Sequence, residues 1–113
     1  MKARSASGVK VMSALLTPIP GKQDEFLQTL LGLQAEIQQE PGCLEFVVGQ
    51  SLTGGAQFLL FSVWRDLRSL KAYMATENFR ILLGATSVLS APADFRFIAA
   101  DSAHVHPPIS TAS

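Results

Sequence analysis

The sequence predicts an α+β protein in which four antiparallel strands form one sheet, with helices on one face of that sheet. The length, 113 residues, suits one domain. Apolar residues make up 48% of the chain and charged residues 16%, a balance that favours a folded protein over a disordered one. Segments of alternating and helical periodicity follow one another in the order β-α-β-β-α-β.

The first half of the chain predicts a strand, a helix and a second strand. Val9–Leu16 alternates between two faces, and the prolines that follow it cannot continue a sheet ladder. Residues 22–39 predict a helix because Phe26, Leu30, Leu33 and Ile37 recur at helical spacing. The Pro41-Gly42 pair ends this helix, and residues 43–51 alternate again as a strand.

The second half predicts a hairpin and a helical region. Residues 52–56, centred on two glycines, predict the loop before a strand over residues 57–64. Asp66 is a plausible cap for a second helix, whose apolar stripe consists of Leu67, Leu70, Tyr73 and Met74. We expect a break at residues 76–78 and a further helical piece over 79–83.

The end of the chain leaves one alternative open. Residues 84–90 are compatible with a loop or a short helix, and residues 94–99 predict the last strand. The complete order is that of a ferredoxin-like fold. We expect this domain to span residues 9–100, between a flexible arm (1–8) and a polar tail (101–113).

Charge and composition exclude several classes of function. The net charge is zero and the basic residues are scattered, so neither nucleic acid nor a membrane surface is expected as a partner. No apolar run approaches the roughly 20 residues of a membrane span. The beginning of the chain faintly resembles a signal peptide but is better interpreted as a strand, so we expect a cytoplasmic protein.

Metal and disulfide sites are not expected. The single cysteine, Cys43, excludes an internal disulfide and a cysteine-rich zinc site. His104 and His106 form an H-x-H pair without a third ligand nearby, so we predict no metal site.

The strand over residues 57–64 is apolar on both faces, with Phe58, Leu60 and Trp64 on one side and Leu59, Phe61 and Val63 on the other. Helices on one face of the sheet leave its other face uncovered. Exposing several large apolar side chains would cost free energy comparable with the stability of a domain. We therefore expect a homodimer that packs sheet against sheet.

Several motifs resemble the antibiotic biosynthesis monooxygenase family. These are P-G-K at residues 20–22, Q-E-P-G-C-L at 39–44, F-L-L-F-S-V-W at 58–64 and L-K-A-Y-M-A-T-E-N-F at 70–79. The resemblance covers about residues 9–99. It implies a dimeric α/β barrel of ferredoxin-like protomers, a small aromatic, quinol or polyketide-like substrate, and oxidation by O₂ without a flavin or metal cofactor.

Two positions depart from the pattern of many family members. Tyr73 stands where they carry a histidine, and Ser62 stands where they carry a glutamate. A tyrosine, with a pKa of about 10, is a poor base at neutral pH, although it can hydrogen-bond a phenol or a quinone carbonyl. Haem binding as in the haem-degrading branch is not expected, because its histidine ligand corresponds to Leu83.

The candidate site lies between the sheet and the helices. Trp64 and Tyr73 are the predicted catalytic residues, and Ser62, Met74 and Asn78 are predicted to bind the substrate. For Trp64 and Met74 the alternative is core packing, for Tyr73 it is a place at the core edge, and for Asn78 it is a turn or cap role.

Three functions fit these residues. The first is a cofactor-independent monooxygenase. The second is a non-catalytic small-molecule-binding or structural dimer of the same fold, which the missing histidine and glutamate favour. The third is an isomerase acting on a small metabolite, for which an obvious acid–base pair is absent.

Overall fold

The computed structural model describes residues 8–52 and 57–99, which contain four strands and three helices. In chain order they are β1 (Lys10–Leu16), α1 (Gln23–Ile37), β2 (Cys43–Gln50), β3 (Phe58–Trp64), α2 (Leu67–Met74), α3 (Glu77–Leu89) and β4 (Asp94–Ala99). The predicted α+β, ferredoxin-like arrangement is confirmed. The predicted tail and most of the predicted arm and hairpin loop lie outside the described residues.

The helical region after α2 is longer than the sequence suggested. The break falls at Ala75 and Thr76, and the segment left open between loop and helix is helical as far as Leu89. Thr76 caps α3 by accepting a hydrogen bond from the Phe79 amide at 3.2 Å. Buried Leu82, Thr86 and Leu89 extend its apolar stripe, so tertiary packing supports a helix that weak local propensity left undecided.

The sheet has the strand order β2-β3-β1-β4, and all of its pairings are antiparallel. One row across β1 places Met12 opposite Ser62 on β3 and opposite Phe97 on β4. Directly opposed residues point to the same face, so the register fixes which side chains meet the helices.

The hydrophobic core lies between the sheet and the helices. α1 packs against β2 and α3, and α2 packs against β3 and α3. The largest side chains in this core are fully buried: Trp64, Tyr73, Phe26, Phe46, Phe58, Met12, Leu16, Leu30, Ile37, Leu60 and Leu82. None of the helices in the described ranges is long and apolar enough to cross a membrane.

The opposite face of the sheet, which we call the open face, is covered by no helix within residues 8–52 and 57–99. It carries Leu15, Val47, Leu59 and Ile98, each between 42% and 51% exposed. The expectation that β3 is apolar on both faces is therefore confirmed, and one face remains in contact with solvent in the single chain.

Candidate functional site

A stacked pair of aromatic rings occupies the helix side of the sheet at the end of β3. The ring of Tyr73 lies over that of Trp64, with ring centroids 4.6 Å apart and an angle of 16° between the planes. Phe79 meets the edge of Tyr73 at 5.1 Å. The pair forms because Trp64 ends a strand and Asp66 immediately starts α2, accepting a hydrogen bond from the Ser69 amide at 2.8 Å.

The polar group of Trp64 is bonded within the protein. Its indole Nε1–H donates to the Ser62 hydroxyl at 2.9 Å, and that hydroxyl donates to the Met12 carbonyl at 3.4 Å. Ser62 therefore holds the indole in place, and the indole N–H has no free capacity for a ligand. Both side chains are buried.

The hydroxyl of Tyr73 differs, because it is buried without a hydrogen-bond partner among the described residues. Burial raises the pKa of Tyr73 far above its usual value, and Cys43 and Glu40 raise it further where they are ionised. The phenol is therefore neutral at physiological pH. It can donate a hydrogen bond to an acceptor, but it cannot serve as a general base there.

Cys43 stands next to this pair. A register shift between Cys43 and Glu45 places Cys43 opposite Trp64 across the β2–β3 ladder. The half-buried thiol donates to the Glu45 carbonyl at 3.6 Å. Burial raises the pKa of Cys43, with a smaller contribution from Glu40 in the same direction, so its thiolate is disfavoured.

An apolar cavity of about 330 Å³ opens between α2, which carries Tyr73, and the end of the sheet where β1 begins and β4 ends. Its lining consists of Lys10, Val11, Leu67, Leu70, Met74, Phe97, Ile98 and Ala99. The volume lies at the small end of the range for ligand sites, roughly 300–1,000 Å³. The only charged residue of this lining is Lys10.

The structure brings together some of the residues that the sequence singled out. Ser62, Trp64 and Tyr73 form one connected cluster. Met74 lines the adjacent cavity, while Asn78 is half-buried at the second position of α3. The capping role considered for Asn78 belongs to Thr76.

Sequence reasoning missed the wall that β1 and β4 contribute to the cavity. The alternation within each strand shows which residues share a face with Lys10 or with Phe97. Only the register between β1 and β4 shows that both side chains lie on the helix side of the sheet and near each other. Within residues 8–52 and 57–99 there is also no group of three side chains able to hold a metal ion.

Known structures share this fold. PA3566 from Pseudomonas aeruginosa is 23% identical, with a TM-score of 0.75, and the match covers 84% of this chain and 96% of that one. A Caulobacter crescentus structure, named provisionally as an antibiotic biosynthesis monooxygenase, has the same identity and TM-score, with 88% and 95% covered. Rv0793 from Mycobacterium tuberculosis is 17% identical, with a TM-score of 0.74, and covers 82% and 95%.

The sequence itself matches a family model. The model that describes antibiotic biosynthesis monooxygenases matches residues 11–81, which is more than half of the chain. Among curated proteins, none matches this chain significantly.

Proposed function

Because the chain belongs to the antibiotic biosynthesis monooxygenase family, we propose that it oxidises a small aromatic, quinol or polyketide-like molecule with O₂ and without a flavin or metal cofactor. One observation carries this proposal: the unpartnered, neutral hydroxyl of Tyr73, stacked on Trp64 beside an apolar cavity. A buried donor without an acceptor suits a phenolate or quinone oxygen.

The proposed reaction balances without a further reductant. For an anthrone, a CH₂ group becomes a carbonyl; one atom of O₂ enters the product and the other leaves as water. All four electrons that reduce O₂ come from the substrate. The protein favours the substrate anion, through the Tyr73 hydroxyl, and excludes water from it.

Access to Tyr73 requires movement of side chains. Tyr73 has no exposed surface, whereas Leu70 and Met74 on the same helix line the cavity. In the proposed mechanism, substrate enters against these two residues and displaces them from the edge of the aromatic pair. Trp64 is the only tryptophan, so its fluorescence reports this step directly.

Oxygen uptake with a panel of hydroquinones and anthrones tests the activity. We expect turnover of at least one compound and a loss of about 100-fold in Tyr73→Phe, the size typical of a lost oxyanion donor. Trp64→Phe is expected to lower turnover too, while Arg80→Gln, an exposed position on α3, leaves it unchanged. No turnover above background with any compound would contradict the proposal.

A non-catalytic binding protein is the second candidate. It is favoured by the neutral Tyr73 and by Ser62, at the positions where many members carry a histidine and a glutamate. Thermal stabilisation by a panel compound without product formation would support it over the monooxygenase. The isomerase reading gains no support, since no carboxylate or histidine is among the residues that line the cavity.

We also propose that the protein is a cytoplasmic homodimer, joined through the open face. Leu15, Val47, Leu59 and Ile98 form an apolar surface there that no element of the described chain covers. Contact with a second copy would remove this surface from water at about 25 cal/mol per Å². A two-fold interface of this kind buries the same residues on both copies.

A further inference from the structure

Lys10 occupies an unusual position for a lysine. It pairs with Trp64 on β3 and with Ala99 on β4, so it stands in the middle of a row across the sheet. Its half-buried side chain shares the helix side with Trp64 and borders the apolar cavity. A charge beside so apolar a surface is expected to have an ionic or hydrogen-bonding role.

The ammonium group of Lys10 retains hydrogen-bonding capacity. Its Nζ donates to the Gly8 carbonyl at 3.0 Å, which uses one of its three N–H groups. The ion pairs within the described ranges join other cations to their carboxylates: Lys22–Glu25, Arg65–Asp66, Arg80–Glu77 and Arg96–Asp94. Lys10 therefore offers a positive charge to an incoming anion.

The rest of the cavity offers only apolar contacts. Leu67 and Phe97 are 44% and 54% exposed, so large hydrophobic side chains border the opening. Leu70 and Met74 form the wall contributed by α2. An occupant that satisfies both parts of this lining has an apolar body and one anionic group.

We propose that this cavity binds a small apolar carboxylate, whose anionic group pairs with Lys10 and whose body lies between Met74 and Phe97. The binding does not depend on the oxidation proposed above, although a ligand held there lies against α2, which carries Tyr73. A charge-assisted hydrogen bond in a partly dry site favours the carboxylate over a neutral analogue.

Calorimetric titration of the full chain with 2-naphthoate and 2-naphthamide tests this proposal, because the two probes share one aromatic body and differ in charge. We expect naphthoate to bind about tenfold more tightly than naphthamide. Lys10→Gln is expected to abolish that preference while keeping the binding of naphthamide. Lys71→Gln removes an exposed charge from α2 outside the cavity and is expected to change neither affinity.

Three results would overturn the proposal. Equal affinities for the two probes, or an unchanged preference in Lys10→Gln, would show that Lys10 does not select the anion. Absence of saturable binding would show that the cavity is closed in solution, for example by a second copy. Oxygen uptake is a separate measurement, so its failure leaves this test intact.

Discussion

Removal of the Tyr73 hydroxyl is expected to stabilise the protein. In Tyr73→Phe the stacked ring remains, and the only loss is a buried hydroxyl that has no partner in the described part of the chain. An unpartnered buried polar group costs about 1–3 kcal/mol, so we expect the free energy of unfolding to rise by about 1 kcal/mol. For a domain of this size, that corresponds to an increase in Tm of about 5 °C.

Ser62→Ala is the matched control, because that hydroxyl is bonded. Its removal leaves the indole N–H of Trp64 without an acceptor, and we expect a loss of about 1–3 kcal/mol. Both variants are measured by urea unfolding, with the fluorescence of the single tryptophan as the signal. The protein concentration is kept constant, because association between copies would add to the apparent stability. If Tyr73→Phe is instead destabilised by 1 kcal/mol or more, on the order of an ordinary hydrogen bond, the hydroxyl has a partner in solution and the reasoning fails.

The same pair of proteins gives a pH prediction. The folded-state pKa of Tyr73 is raised, so the stability contributed by its protonated phenol is present below the unfolded pKa of about 10 and is lost as pH rises above it. Tyr73→Phe lacks this loss, and the difference between the two proteins isolates it from the titration of lysines. Parallel stability curves across this pH range would contradict the assignment.

Three further predictions concern other parts of the molecule. Leu59→Lys on the open face is expected to give monomers in sedimentation analysis. Leu31→Lys on α1 is the control, since Leu31 is 44% exposed and Leu59 is 45% exposed, and it is expected to leave the dimer intact. The opposite result would place the interface elsewhere. Gly42→Ala is expected to unfold at lower urea concentration than Gly21→Ala. Both glycines have positive φ, so both variants are strained. An added Cβ at Gly42 also overlaps the Ser69 side chain, whereas an added Cβ at Gly21 meets open space. Alkylation of Cys43 by iodoacetamide is expected to have its midpoint at higher pH than that of glutathione, because burial raises the thiol pKa; equal midpoints would contradict this.

Most of the fold followed from local patterns. Alternating apolar residues identified the strands Lys10–Leu16 and Phe58–Trp64, and helical spacing from Phe26 to Ile37 identified α1. The type of each element follows from which side chains it can bury on one face. The bounds of these elements differ from expectation by one or two residues, as is usual where helices fray and strands end. The length of α3 could not be predicted, because packing against α1 and the burial of Thr86 and Leu89 stabilise its second half.

The candidate site was predictable in part. Residues near in sequence, such as Ser62 and Trp64 two positions apart on one strand, could be placed on the same face from periodicity alone. The contact between Trp64 and Tyr73 needed the path of the chain from β3 into α2, and the position of Cys43 needed a register shift that no local signal marks.

The sequence by itself determined the α+β class, the helix-covered core and the apolar character of both sheet faces, because these depend on the period of hydrophobic residues along one segment. The tertiary structure decided that the Tyr73 hydroxyl lacks a partner among the residues described and that Lys10 meets Phe97 and Met74 at one cavity. The cavity joins Lys10 to residues more than 60 positions away in the sequence. Strand register and helix packing set these features, and both are properties of the folded chain as a whole.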